Sequence, residues 1–350
     1  MRNTWLSISL LIGAALAADG SASVRAEDIT IANFGGAIND WSRVSYWKPF
    51  TAETGINVIE DSRDYGIGVV RTKVQGGANT WDVVAVEDIE AIEGCEEGLF
   101  EKLDWSKISG RAKLIPSAVL PCAQGELLYS MVVSWDGNRI KDQGPKNWAE
   151  FWDVKRWPGK RALYKDPRDS LEAALMADGV ARDQVYKVLA TPAGVDRAFR
   201  KLDQIKSNVL WWLNPGQSRQ MLVSGDAAMV ATFHGGVARL NLTEHTNLKY
   251  TENDGILHTD YWAIVKGTKH LPAAMKFMDF VSRPDKEAVF AANALSGVPN
   301  QDATPLIDKS VAPYLPSNPE NFKVALVSDP PFWLEHYDAL NRRFTAWLAQ

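Results

Sequence analysis

Carboxylates stand at the ends of several apolar runs in this 350-residue chain, with aromatic rings beside them. Glu87, followed by Asp88, ends the run Trp81–Val86, and Asp166 and Asp169 follow the short run Arg161–Tyr164. His258 and Asp260 alternate within Gly255–Val265, so an extended backbone points both to one side. Phe233 ends the run from Ala227 and is followed by His234-Gly235-Gly236, while Phe34 leads into Gly35-Gly36 after Asp28–Asn33. Acids and rings of this kind suit an organic cation, since carboxylates hold an ammonium group and ring faces hold its carbon stem. The same acids, with fourteen tryptophans as sugar platforms, also suit a secreted carbohydrate-active hydrolase working through a carboxylate pair. Nothing in the spacing selects such a pair, so binding without turnover is the simpler reading. Gly-x-Gly-x-x-Gly, the P-loop and Gly-x-Ser-x-Gly are all missing, and no cofactor or metal is expected. His234 and His258 are lone histidines, a type with many structural uses.

These residues need a scaffold that brings strand ends together. Trp211–Arg239 reads as strand, helix, strand and turn: Asn208–Leu213 favours β structure, Asn214-Pro215 opens a helix, Gly225 closes it, and Ala227–Phe233 is a buried strand. Taken singly, Trp211 and Trp212 read as core. Further strands fall at Asp28–Asn33, Ile56–Ile59, Trp81–Val86, Leu127–Ser134 and Arg161–Tyr164, and a helix at Gly66–Gln75. Apolar stripes at helical spacing (Val195, Phe199, Leu202; Ala274, Phe277, Val281; Trp333, Leu340, Phe344, Trp347) mark helices packed on sheets. The pattern is α/β, and in such folds ligands lie beyond the carboxyl ends of strands.

Arg2 and the apolar run Trp5–Ala17 lead to Val24-Arg25-Ala26, the layout of a secretory signal peptide over residues 1–26 with cleavage after Ala26. The run is shorter than the ~20 residues a membrane span needs. Residues 1–26 carry a net +1, which leaves the remainder of the chain at −6 from a total of −5. An acidic protein of this kind is not expected to bind nucleic acid. Cys95 and Cys122 are the two cysteines, and export to an oxidising compartment predicts that they are joined.

The chain resembles the spermidine/putrescine type of extracellular solute-binding protein that serves ABC importers. The likeness rests on Ile31–Gly36, Thr54–Val58, Trp81–Val84, Asn147–Trp152, Ser224–Asp226, Phe233–Gly235, Ser282–Asp285 and Gly297–Asn300, in that order. It implies a two-lobed periplasmic binding protein fold, each lobe a sheet flanked by helices, with hinge strands between them. Residues 27–134 with about 258–298 would form lobe 1, and about 135–257 with 299–350 lobe 2. It also implies a periplasmic monomer that takes a small solute and delivers it to a membrane permease. In the resemblance Phe34 matches an aromatic position, Glu87 a polar contact, Asp166 and Asp169 an acidic pair for ligand amines, and Phe233 a stacking position. His258 and Asp260 stand where an aromatic and an aspartate are usual. Polyamine binders favour Trp where Phe233 and His258 stand, a departure that disfavours a long linear polyamine; the solute expected is a small polar amine, whether a polyamine, an amino-acid-derived amine such as γ-aminobutyrate, or an opine. Arg168 or Arg239 would then face a ligand carboxylate.

Overall fold

The computed structural model describes residues 27–350, and the expected signal peptide, residues 1–26, lies outside the described residues. Among the described residues nine strands form one mixed sheet: β1 (Asp28–Asn33), β2 (Asn57–Ser62), β3 (Val83–Val86), β4 (Ala123–Asp136), β5 (Arg161–Tyr164), β6 (Val209–Trp212), β7 (Met229–Phe233), β8 (Leu248–Ile264) and β9 (Leu326–Val327). Their order is β2-β1-β3-β8-β4-β7-β5-β6, with β9 beside β8. At one side β1 pairs in parallel with β2 and β3, and at the other β5 pairs in parallel with β6 and β7. The antiparallel pair β4·β8 runs through the middle and joins the two groups. β3 and most of β7 are buried on both faces, as expected of Val- and Ala-rich runs covered by helices.

The hydrophobic core changes partners along those two long strands. Leu127 packs with β1, β3, Trp262 and the helix Leu271–Val281, whereas Met131 and Val133 pack with β5, β7 and the helices Pro167–Ala177, Pro192–Asp203 and Pro330–Leu348. On β8, Ile256 belongs to the second group and Trp262 to the first. The register of β4 on β8 shifts between Gly125 and Leu127, and again between Met131 and Val133. At the second shift Met131 pairs with Ile256 and Val133 with Thr251, so Glu252 to Gly255 bulge out of the ladder. Cys95, at the end of the helix Asp88–Glu96, is joined to Cys122 just before β4.

Most strands lie within two residues of the bounds the sequence predicts. β2 runs on to Ser62 and β4 starts at Ala123, three and four residues beyond the expected ends, and β8 departs most: it begins at Leu248, whereas hydrophobicity marks a strand from Gly255. Leu-Lys-Tyr-Thr-Glu-Asn-Asp carries too few apolar residues to declare itself, and it is extended because Ser134, Trp135 and Asp136 offer backbone partners. The run Gly36–Thr54 is helical throughout, with a π turn over Arg43–Trp47 that moves Val44 to the exposed face despite its spacing from Trp41 and Trp47.

Candidate functional site

Four strand ends and the middle of the sheet meet at one cavity of about 1040 Å³. β3 ends at Val86, and Glu87 caps the next helix in a reciprocal box with Glu90, which places Glu87 at the rim of the sheet. Glu90 is in turn gripped by the buried Arg63 guanidinium at 2.7–2.9 Å. Arg63 also lies 5.3 Å over the ring of Phe34, which stacks at 4.6 Å on Tyr65 in the cavity wall. β5 ends at Tyr164 and β7 at Phe233, while β4 presents Tyr129 and β8 presents Asp260. Tyr129 meets Phe233 edge to face at 5.3 Å, and Trp212 meets Phe233 similarly at 6.0 Å. The cavity wall thus combines Trp41, Tyr65, Tyr129, Tyr164, Trp212 and Phe233 with the carboxyls of Glu87 and Asp260 and the guanidinium groups of Arg168, Arg219 and Arg239.

Of the three carboxyl groups lining the cavity, Glu244 is exposed, while burial disfavours the charged form of Glu87 and Asp260. Burial pushes Glu87 up to about 7, against the pull of nearby Arg168. Burial, with Glu87 and Glu126 close by, drives Asp260 well above the usual carboxylate range, and its buried Oδ1 has no hydrogen-bond partner. A cation placed beside these two acids would favour their ionised forms.

Beneath the cavity a chain of charges crosses the molecule. His258 is fully buried, with Nε2 2.7 Å from Asp169 Oδ1 and Nδ1 3.3 Å from Asp88 Oδ2. Burial opposes its charge, but Asp169 and Asp88 outweigh that and raise its pKa to about 10, so it is an imidazolium that donates to both. Arg168 Nη1 donates to Asp88 Oδ1 at 3.0 Å, and Arg168 remains protonated despite its burial. Asp88 pairs with both cations, which overcome its own burial and hold it down at about 2. Asp88 follows β3, Arg168 and Asp169 follow β5, and His258 lies on β8, so the chain ties the two sides of the sheet together.

The structure therefore distributes the residues singled out in the sequence. Glu87, Phe233 and Asp260 line the cavity, as do Arg168 and Arg239. Phe34 stands behind Tyr65. Gly35 (φ 77°) makes the turn from β1 into the next helix and takes the left-handed conformation that glycine allows. Asp169 and His258 are spent on each other, with His258 stacked at 5.1 Å against Tyr129 from below. Asp166 caps the helix Pro167–Ala177 and accepts the Tyr337 hydroxyl at 2.7 Å. His234 is buried between the Ser130 amide and the Leu295 carbonyl, and burial lowers it to about 4, so it is neutral and structural. Among the described residues no group of His, Cys, Asp and Glu could hold a metal ion.

A model of the bacterial extracellular solute-binding proteins matches residues 45–318, well over half of the chain. The chain belongs to that family. The γ-aminobutyric acid-binding protein of Pseudomonas aeruginosa is 38% identical to this solute-binding protein over 340 residues, covering 97% of this chain and 96% of its own. The spermidine/putrescine-binding periplasmic protein of Escherichia coli is 24% identical over 277 residues, 76% of either chain. Among solved structures, a GABA receptor superimposes with a TM-score of 0.82 at 33% identity, covering 93% of this chain and 98% of its own. MotA of A. tumefaciens B6, in complex with glucopine, gives 0.78 at 30% identity, with coverage of 92% and 99%. This solute-binding protein therefore has the two-lobed fold and serves as a substrate-binding component of an ABC importer. Its relatives are transport proteins, and the hydrolase alternative finds no support among them.

Tyr65, Tyr129 and Tyr164 are cavity residues that the sequence does not single out, while Trp212, expected in the core, is fully buried there and also borders the cavity. Trp211 and Trp212 are successive strand residues, so they face opposite sides: Trp211 packs on Phe344 and Trp347 at 5.5 and 5.9 Å, while Trp212 reaches the cavity. Tyr129 alternates with Leu127 and Met131, and a tyrosine in so apolar a strand was the available signal.

Proposed function

We propose that this protein captures a compact solute with an ammonium group at one end and a carboxylate at the other, of the γ-aminobutyrate kind, and delivers it to a membrane permease. The observation that carries this reading is the cavity wall itself: the buried carboxyls of Glu87 and Asp260 share it with the guanidinium groups of Arg168, Arg219 and Arg239, Arg168 being oriented by its pair with Asp88. Asp260 and Glu87 hold the ammonium, Tyr129 and Phe233 cover the carbon chain, and Arg168, kept in place by Asp88, takes the carboxylate. A polyamine has no group for the arginines and would place several positive charges beside them, at a cost in Coulomb energy. The spermidine/putrescine binders among the relatives are the more distant ones, and the γ-aminobutyrate binder is the nearer, which agrees with this choice.

Lobe closure supplies the binding motion, with the lobes parting where core packing changes hands, between Leu128 and Met131 on β4 and between Ile256 and Tyr261 on β8. Titration calorimetry with γ-aminobutyrate, butylamine, butyrate and putrescine tests the ligand. Saturable one-to-one binding of γ-aminobutyrate, far weaker for the other three, with the amino acid recovered unchanged, is the expected result. Tighter binding of putrescine, or product accumulating with time, would overturn the reading.

A further inference from the structure

A second cavity, of about 770 Å³, lies on the other side of the helix His234–Glu244. That helix is a shared wall: Gly235, Gly236, Arg239, Leu240 and Thr243 line the first cavity, and Ala238, Asn241 and Leu242 line the second. The remaining wall comes from the first half of β8, Leu248–Asn253, and from the segment around Val311 and Leu315. Most of its polar groups are already occupied: Asn241 bonds the Leu248 backbone, Tyr250 donates to the Tyr314 carbonyl, and Asn321 donates to the carbonyls of Pro313 and Leu315.

Glu252 is different. It is 7% exposed, and neither carboxylate oxygen has a hydrogen-bond partner. It sits in the β8 bulge, where the ladder offers it no cross-strand neighbour. The Ser130 hydroxyl stands near enough to favour its ionised form but not in hydrogen-bonding geometry, and that hydroxyl is itself buried and unpaired. No arginine lines this cavity, and its one lysine, Lys249, is exposed. Leaving such a carboxyl unmatched is costly, and a wall of Leu242, Leu248, Leu295, Val311, Leu315 and Val324 around it selects an apolar body.

We propose that this cavity is a second small-molecule site, for a primary amine carried on an apolar chain and lacking a carboxylate, with Glu252 as counter-ion. Burial pushes Glu252 up to about 7, and an ammonium beside it would favour the ionised form. The site differs from the first in chemistry, since the first offers three arginines and this one none.

Methyl-resolved NMR of the full protein titrated with n-hexylamine tests it. Saturable shifts at Leu242, Val311 and Leu315 are expected, with n-hexanoate giving none. Glu252→Gln should weaken the hexylamine response at those methyls by at least about tenfold, the effect of losing a charge-assisted hydrogen bond. Leu242→Trp, at a residue on the exposed rim, should block the response while leaving the fold intact by circular dichroism. Shifts confined to Ile38 in the first cavity, no saturation at millimolar amine, or an unchanged response in Glu252→Gln would each overturn the proposal.

Discussion

Asp260 and Glu87 share one wall, and burial makes each resist ionisation, so an ammonium ligand of the kind proposed would supply the charge that favours their ionised forms. Replacing Asp260 with Asn should weaken binding of γ-aminobutyrate by about 1.5 kcal/mol or more in calorimetry, the worth of a buried charged hydrogen bond. His258 works in the opposite sense, as an interior cation between two anions. Its folded pKa of about 10 lies above the ordinary 6.5, so the stability it confers is complete below about pH 6.5 and is lost as pH rises through 10. Melting temperature should fall over that window, and in His258→Gln, already less stable at pH 7, the fall should be shallower; equal slopes would remove His258 from the account. The sequence exposed Glu87, Phe233 and Asp260 because each ends or alternates along a recognisable strand. It could not separate Asp260 from His258, because what buries His258 is Asp88 and Asp169, 170 and 89 residues away in the chain. Asp166 was hidden in the same way, its partner Tyr337 being 171 residues distant.

The helix Asp88–Glu96 carries both a residue of the charge chain and Cys95, so the disulfide to Cys122 anchors the element that presents Glu87 and Asp88 to the cavity. Closing a loop with a sequence separation of 27 contributes on the order of 3 kcal/mol through the unfolded state. Substituting both cysteines by Ala should lower stability to chemical denaturation by about that amount; no change in the denaturation midpoint would contradict it. At this scale the sequence was most informative where hydrophobicity was periodic. The helix Pro215–Ser224 runs from its Asn214 cap to the left-handed Gly225 as expected, and Pro330–Leu348 buries Phe332, Trp333, Leu340, Phe344 and Trp347. The first half of β8 was invisible, because its pairing depends on β4 rather than on its own composition.

Across the whole molecule, two packed bodies share β4 and β8, and the cavity draws its walls from both: Glu87 and Tyr65 from one, Phe233, Trp212 and Arg168 from the other. The α/β architecture could be inferred from strand and helix patterns alone, but the convergence of the walls depends on a strand order that no local pattern encodes. Such an arrangement lets a solute be held from both sides and released when the lobes part. A crystal structure with γ-aminobutyrate bound would show whether an ammonium group is gripped between Glu87 and Asp260 while Arg168 meets the opposite end. The amine nitrogen is expected within hydrogen-bonding distance of both acids, with the carboxylate at the Arg168 guanidinium. A ligand lying outside this cavity, or one with its amine turned away from Asp260 and Glu87, would contradict it.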